Sequence, residues 1–200
     1  MSVPDIAINA FIFMVTVFLL VRAFRRDGRW SLEQGKTAMR YFTCQSNLLC
    51  AVAALLCAVT ALQGPIPRWI WILKYIGTAA VTVTFLTVFL FLAPSIGRDW
   101  AKILLTGASF FMHLLTPLLA IFSFCFLEKQ GMAFPESLWG LLPLALYGPL
   151  YLHKTVFDKT PKRWDDFYGF NKSGKWPLAF ALMLLGAFLA CQGLMALQNA

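Results

Sequence analysis

Six long apolar runs, separated by short polar or basic stretches, make up most of the 200-residue sequence. They cover residues 6–21, 41–62, 70–93, 103–127, 138–152 and 177–197. At a helical rise of about 1.5 Å per residue, such runs match a hydrocarbon core about 30 Å thick. The fifth is short and carries Pro143 and Pro149, so a bent helix is expected there. The pattern predicts an all-α integral membrane bundle: one domain over residues 1–200, six transmembrane helices, the fifth bent by prolines.

Two of the runs carry polar stripes. In RYFTCQSNLLC, residues 40–50, Thr43, Ser46, Asn47 and Cys50 recur at helical spacing and share one face. In the fourth run, Thr106, Ser109, His113, Thr116 and Ser123 fall in a sector about 100° wide. Such stripes must face protein or water rather than lipid. They suit either hydrogen bonding between packed helices or a functional site. Pro117 cannot donate to the carbonyl of His113, four residues earlier, so the helix is expected to loosen at the histidine.

The remaining runs offer less. The first reads as an apolar anchor without evident chemistry. Lys74, near one end of the third, is expected to snorkel to the surface, and Thr78, Thr82, Thr84 and Thr87 to pack. In the last run Gly186 and Gly193 suit close helix packing.

Composition agrees: 60% of residues are hydrophobic and 13% charged, against about 25% charged in soluble domains. The net charge is +8. Of the 17 Lys and Arg, all but Arg68, Lys74 and Lys129 fall in the loops after the first, third and fifth runs. By the positive-inside rule those loops are cytoplasmic and both termini lie outside, as for a multi-pass membrane protein. The charge then describes topology and contact with anionic lipid, and no nucleic-acid partner is implied. The basic loop 153–176 also holds Trp164, Phe167, Tyr168 and Phe170, and is expected to lie on the headgroups.

The five cysteines show no CxxC or Cys/His ligand spacing and read as packing residues. Two histidines are too few for a pair of bis-histidine haems or an evident zinc site, so neither metal nor cofactor is expected. No Walker loop, GxGxxG or GxSxG occurs.

Tyr41-Phe42-Thr43 with Gln45-Ser46-Asn47, and Met112-His113 followed by Pro117, resemble the androgen-induced family of six-helix membrane proteins and its bacterial relatives. The resemblance implies a threonine hydrolase of fatty acid esters of hydroxy fatty acids, with Thr43 as nucleophile and His113 as its partner. A threonine hydroxyl needs an adjacent base to attack an acyl carbonyl, and a neutral histidine suits that task. Asn47 or Ser46 would donate to the oxyanion. His153 is the fallback base. No acidic residue lies within the six runs to orient the histidine. Measured from the run boundaries, Thr43 lies about 3 Å deep and His113 about 15 Å, a mismatch that direct contact must overcome. The lipid substrate would come sideways from the bilayer. A transporter or channel, or a non-catalytic lipid-binding protein, are the competing readings, and transport would favour paired intramembrane charges or broken helices.

Overall fold

The computed structural model describes residues 2–171 and 174–200. Lys172, one of the basic residues of the last loop, lies outside the described residues. Five helices among them are long and apolar enough to cross a membrane: Val3–Ala23, Phe42–Ala61, Arg68–Leu92, Ala108–Leu127 and Trp176–Asn199. We label the regular α-helical parts α1 (Val3–Ala23), α2 (Leu32–Ala38), α3 (Phe42–Ala61), α4 (Arg68–Thr87), α5 (Ala93–Ile96), α6 (Trp100–Leu104), α7 (Ala108–Phe110), α8 (Thr116–Phe122), α9 (Phe134–Ser137), α10 (Leu142–Leu152) and α11 (Trp176–Asn199). A short hairpin, Arg25–Arg26 against Arg29–Trp30, turns the chain after α1. Helical turns also run unbroken from Phe134 to Phe157, through Pro149, although this segment is not among the five. Large apolar side chains such as Phe18, Val59, Leu90, Phe122, Leu146 and Leu185 stand exposed around the bundle, the surface a lipid-facing protein presents.

Prolines follow two of the four π-helical turns among the described residues, and the reason is local. In the turn Val88–Leu92 the N–H of Ala93 bonds the carbonyl of Val88, and the next residue is Pro94. In the turn Phe111–Leu115 the N–H of Thr116 bonds Phe111, and the next residue is Pro117. In this five-residue register the residue facing the Met112 carbonyl is Pro117, which has no N–H to give. The helix thus loosens around His113 as the sequence leads one to expect, but the carbonyl left open is that of Met112.

The fourth rod begins later than its hydropathy suggests. Residues 105–107 leave the helix, with Gly107 at φ +54, so the membrane-length rod starts at Ala108. Thr106 consequently lies outside that rod, exposed and bonded to the Lys102 carbonyl at 2.7 Å. The polar strip read on this helix is therefore divided between three places: Thr106 outside, His113 on the π turn, and Ser123 at the far end.

Helices α3 and α4 pack through small residues. A Cβ added to Gly77 would stand 2.8 Å from the Cα of Cys50, too close for any side chain without backbone movement. Mid-bundle, Ile12, Cys50, Ala54, Val81 and Ala120 form a layer with no exposed surface. Gly186 and Gly193 do not serve close packing; nothing lies within 4 Å of a Cβ built on either.

The end that holds both termini is closed by charges the sequence does not announce. Lys74 does not snorkel. It is fully buried, paired with Glu128 at 3.4 Å and bonded to Asn9 Oδ1. Asn9 Nδ2 donates to Glu128 at 2.8 Å, and Ser123 Oγ contacts both Asp5 and Glu128 at 2.7 Å. Trp71 and Gln198 donate to the Glu128 carbonyl. Because α1 begins at Val3, it includes Asp5 inside a membrane-length helix, so the first run is no plain anchor. Arg68 stacks over Trp71 at 4.2 Å and pairs with Glu136, tying the 128–137 segment to the start of α4.

Candidate functional site

At the opposite, basic end, α3 starts at Phe42 after Tyr41, whose side chain makes no capping bond. The first N–H groups of a helix lack intrahelical acceptors. Here a distant phenol supplies one. Tyr168 Oη accepts the Phe42 N–H at 3.0 Å. Burial pushes the Tyr168 phenol up to about 12, against the polar groups of Phe42, Tyr147 and Thr43 beside it, which favour the ionised form.

Tyr168 belongs to a loop that folds into the bundle. Asp166 accepts from Tyr151 O–H at 2.7 Å and from the N–H groups of Phe170 and Asn171; Tyr151 Oη in turn accepts the Tyr168 N–H at 3.1 Å. Trp164, Phe167, Tyr168 and Phe170 pack against the core formed by Phe42, Tyr147 and Tyr151. The aromatics expected to lie on headgroups are thus partly buried under the helices. Farther along, hydrogen bonds from Thr160 and Lys154 hold the Asp158 carboxyl well below the usual carboxylate range.

Beneath this loop lies a small cavity of about 30 Å³, walled by Thr43, Thr87, Leu144, Tyr147, Tyr168 and Met183 among others. Thr87 and Met183 also border a side groove of about 350 Å³ between α4 and α11, lined by Leu90, Phe91, Leu182, Gly186 and Leu189. Those leucines and Phe91 are exposed on the outer surface, so the cavity adjoins a groove open on the lipid-facing side.

The site residues expected from sequence divide as follows. Thr43, half-buried, faces the cavity. Ser46 bonds the Thr43 carbonyl at 3.1 Å and the Thr84 hydroxyl at 2.8 Å. Asn47 Nδ2 donates to the Thr43 carbonyl at 2.8 Å and to the Met112 carbonyl at 3.1 Å. It therefore fills the gap that Pro117 leaves, and both its hydrogens are committed; its buried Oδ1 has no hydrogen-bond partner among the described residues. Because one nitrogen bonds both carbonyls, the Thr43 and Met112 oxygens are less than about 6 Å apart. The depth mismatch between Thr43 and His113 thus disappears once the fourth rod starts at Ala108.

His113 itself is half-buried on the π turn, next to Met112, and is not among the residues lining the cavity. His153 is exposed at the start of the π turn His153–Phe157, likewise outside the lining. Cys44, beside Thr43 in sequence, points the other way, packing with Leu19, Leu20 and Met112. Sequence reasoning missed Tyr168 and Tyr147; for Tyr168 the signal was aromatic density in a basic loop, and for Tyr147, on α10, its place between Pro143 and Pro149.

No family model, curated protein or solved structure matches the chain.

Proposed function

We propose that this chain is an intramembrane lipid-ester hydrolase in which Thr43 attacks a fatty-acyl ester and His113 takes its proton. The observation that carries this reading is the position of Thr43: its side chain borders a largely apolar cavity that adjoins a lipid-facing groove. A long acyl chain suits the groove between α4 and α11, which leaves the ester at the mouth of α3. Helix N-termini favour developing negative charge, and π turns recur at functional sites; both features meet here. The resemblance to the androgen-induced family points to the same reaction and to fatty acid esters of hydroxy fatty acids as the substrate class.

In this reading the membrane is crossed six times, the segment from Phe134 to Phe157 forming the fifth crossing with its proline-bent helix. The basic end faces the cytoplasm of a bacterium, so the lipid comes from the inner leaflet of the cytoplasmic membrane. Cysteines placed at Arg25, Arg98 and Lys162 should stay unlabelled by an impermeant thiol reagent in intact cells and react after permeabilisation; labelling in intact cells would reverse the sidedness.

Purified protein with a panel of long-chain acyl esters tests the chemistry. Thr43→Ala should abolish turnover and Thr43→Ser should retain part of it, because only the hydroxyl reacts. His113→Ala should cost about as much alone as combined with Thr43→Ala, since residues acting as a unit are strongly non-additive. Parental turnover by Thr43→Ala would refute the reading.

One observation favours a second reading, a lipid-binding protein without catalysis: the cavity lining includes Thr43 but not His113. Binding of a radiolabelled acyl ester with no turnover by the parent protein would support it. A conduction path is disfavoured by the fully buried apolar layer around Cys50, Val81 and Ala120, although the buried Lys74–Glu128 pair is the kind of charge pair a transporter uses.

A further inference from the structure

A reaction at Thr43 needs a hydrogen-bond donor for the acyl oxygen, and the two donors named from sequence are engaged elsewhere. Asn47 has given both amide hydrogens to carbonyls, and the Ser46 hydroxyl lies between the Thr43 carbonyl and Thr84. We propose that Tyr168 is the missing donor: its phenol O–H, held over the N-terminus of α3, bonds the oxygen on which charge develops when Thr43 attacks an acyl carbonyl. This rests on the hydrolase reading and adds a catalytic residue to it.

Three features of the site single out Tyr168. First, its oxygen accepts the N–H of Phe42 at the start of α3, and an oxygen so bonded polarises its own O–H into a stronger donor. Second, the neighbouring phenol of Tyr147 already sends its proton to the Arg40 carbonyl at 2.8 Å, so the Tyr168 proton is the one left for the cavity. Third, Tyr168 is pinned through its own backbone to Tyr151 and, through Tyr151, to Asp166, so the phenol is aimed before any substrate arrives.

The step balances without any further reagent. The Thr43 oxygen bonds the acyl carbon while its proton passes to the base, and the carbonyl π pair moves onto the acyl oxygen, which Tyr168 holds by a hydrogen bond without giving up its proton. When the carbonyl re-forms, the bond to the alcohol breaks and the alcohol leaves with the base's proton. Water then repeats the sequence on acyl-Thr43, releasing the acid.

Two variants test the assignment against parent and Thr43→Ala, each assayed in detergent with one long-chain acyl ester. Tyr168→Phe keeps the ring and should lower kcat on the order of 10²-fold, the usual cost of one oxyanion donor, with KM near the parent value. A fluorinated tyrosine at position 168 preserves shape but ionises earlier, and should add an alkaline fall in kcat that the parent lacks. An unshifted pH profile in the fluorinated protein overturns the proposal, even if Tyr168→Phe has lost activity through its fold. So does parental kcat in Tyr168→Phe beside an inactive Thr43→Ala, an outcome that leaves the hydrolase reading standing. Parental activity in Thr43→Ala would instead remove the reaction itself, and Tyr168's part with it.

Discussion

Lys74 and Thr43 stand at opposite ends of the same bundle, and the polar groups around them are arranged in opposite ways. Around Lys74, side chains from α1, α4 and the end of the fourth rod bond one another directly: Asp5, Asn9, Ser123 and Glu128 are all buried, and only one oxygen of each carboxylate, Asp5 Oδ2 and Glu128 Oε2, has no hydrogen-bond partner among the described residues. Around Thr43, polar atoms border a cavity, and one partner, Tyr168, comes from a loop. π turns occur at both ends, Ser123–Leu127 at the first cluster and Val88–Leu92 and Phe111–Leu115 near the second, so the backbone does not separate them; the cavity does. A closed cluster can hold helices together but has no room to exchange a partner. An open one can trade an internal hydrogen bond for one to a ligand. In the hydrolase reading proposed above, the first end supplies stability and the second the chemistry.

Removing a charge from the closed end should have the largest effect on folding. Lys74→Met leaves Glu128 and Asp5 buried without their cation, and breaking a buried pair from one side costs about 3–5 kcal/mol. Thermal unfolding in detergent should show a collapse in stability. Replacing all three charges together, with Asp5→Asn and Glu128→Gln added, should recover most of it. A Lys74→Met protein as stable as the parent would erase the contrast between the two ends.

Asn47→Ala comes next. It strips the donor from the Met112 carbonyl that Pro117 cannot serve, and an unsatisfied buried group costs about 1–3 kcal/mol. Turnover should fall as well, because the same nitrogen aligns the start of α3 with the His113 turn. Stability loss without any change in kcat would make Asn47 a packing residue alone.

How much of this contrast is legible in the sequence follows from what periodicity can carry. Five of the six apolar runs reappear as membrane-length helices, because hydropathy over about 20 residues is a strong signal. Thr43 was legible as part of a stripe at the mouth of a helix. Lys74 was not, since snorkelling is the ordinary fate of a lysine near a helix end and its partners, Asn9 and Glu128, lie 65 and 54 positions away. The start at Ala108 was hidden because residues 103–107 are mostly apolar, and only Gly107 hints at the break. Tyr168 was illegible for a plainer reason. Nothing local says that a loop 126 residues from Phe42 will cap the helix that begins there.

The groove allows a subtler test of the open end. Gly186 faces empty space between α4 and α11, so Gly186→Leu should leave stability within about 0.5 kcal/mol of the parent while filling the path of an acyl chain. Turnover of long-chain esters should drop relative to short-chain ones. An unchanged chain-length profile would place the acyl chain elsewhere.

The smallest effect concerns pH. The Tyr168 phenol is raised from an ordinary value of 10.0 to about 12 in the folded protein. A raised value means the folded state holds its proton longer than the unfolded state. Its contribution is therefore full below pH 10 and is lost as pH rises from about 10 to about 12. Difference absorbance of tyrosinate between the parent and Tyr168→Phe should show one late-titrating phenol, and titration of that phenol near 10 would contradict its burial beneath the loop.

The most direct measurement is to treat the purified protein with a hydroxyl-directed acyl phosphonate and map the adduct by peptide mass spectrometry. The adduct should sit on Thr43, be absent from Thr43→Ala, and form more slowly in His113→Ala, where the hydroxyl has lost its base. Labelling at any other residue, or no labelling of a protein that hydrolyses acyl esters, would contradict Thr43 as the nucleophile.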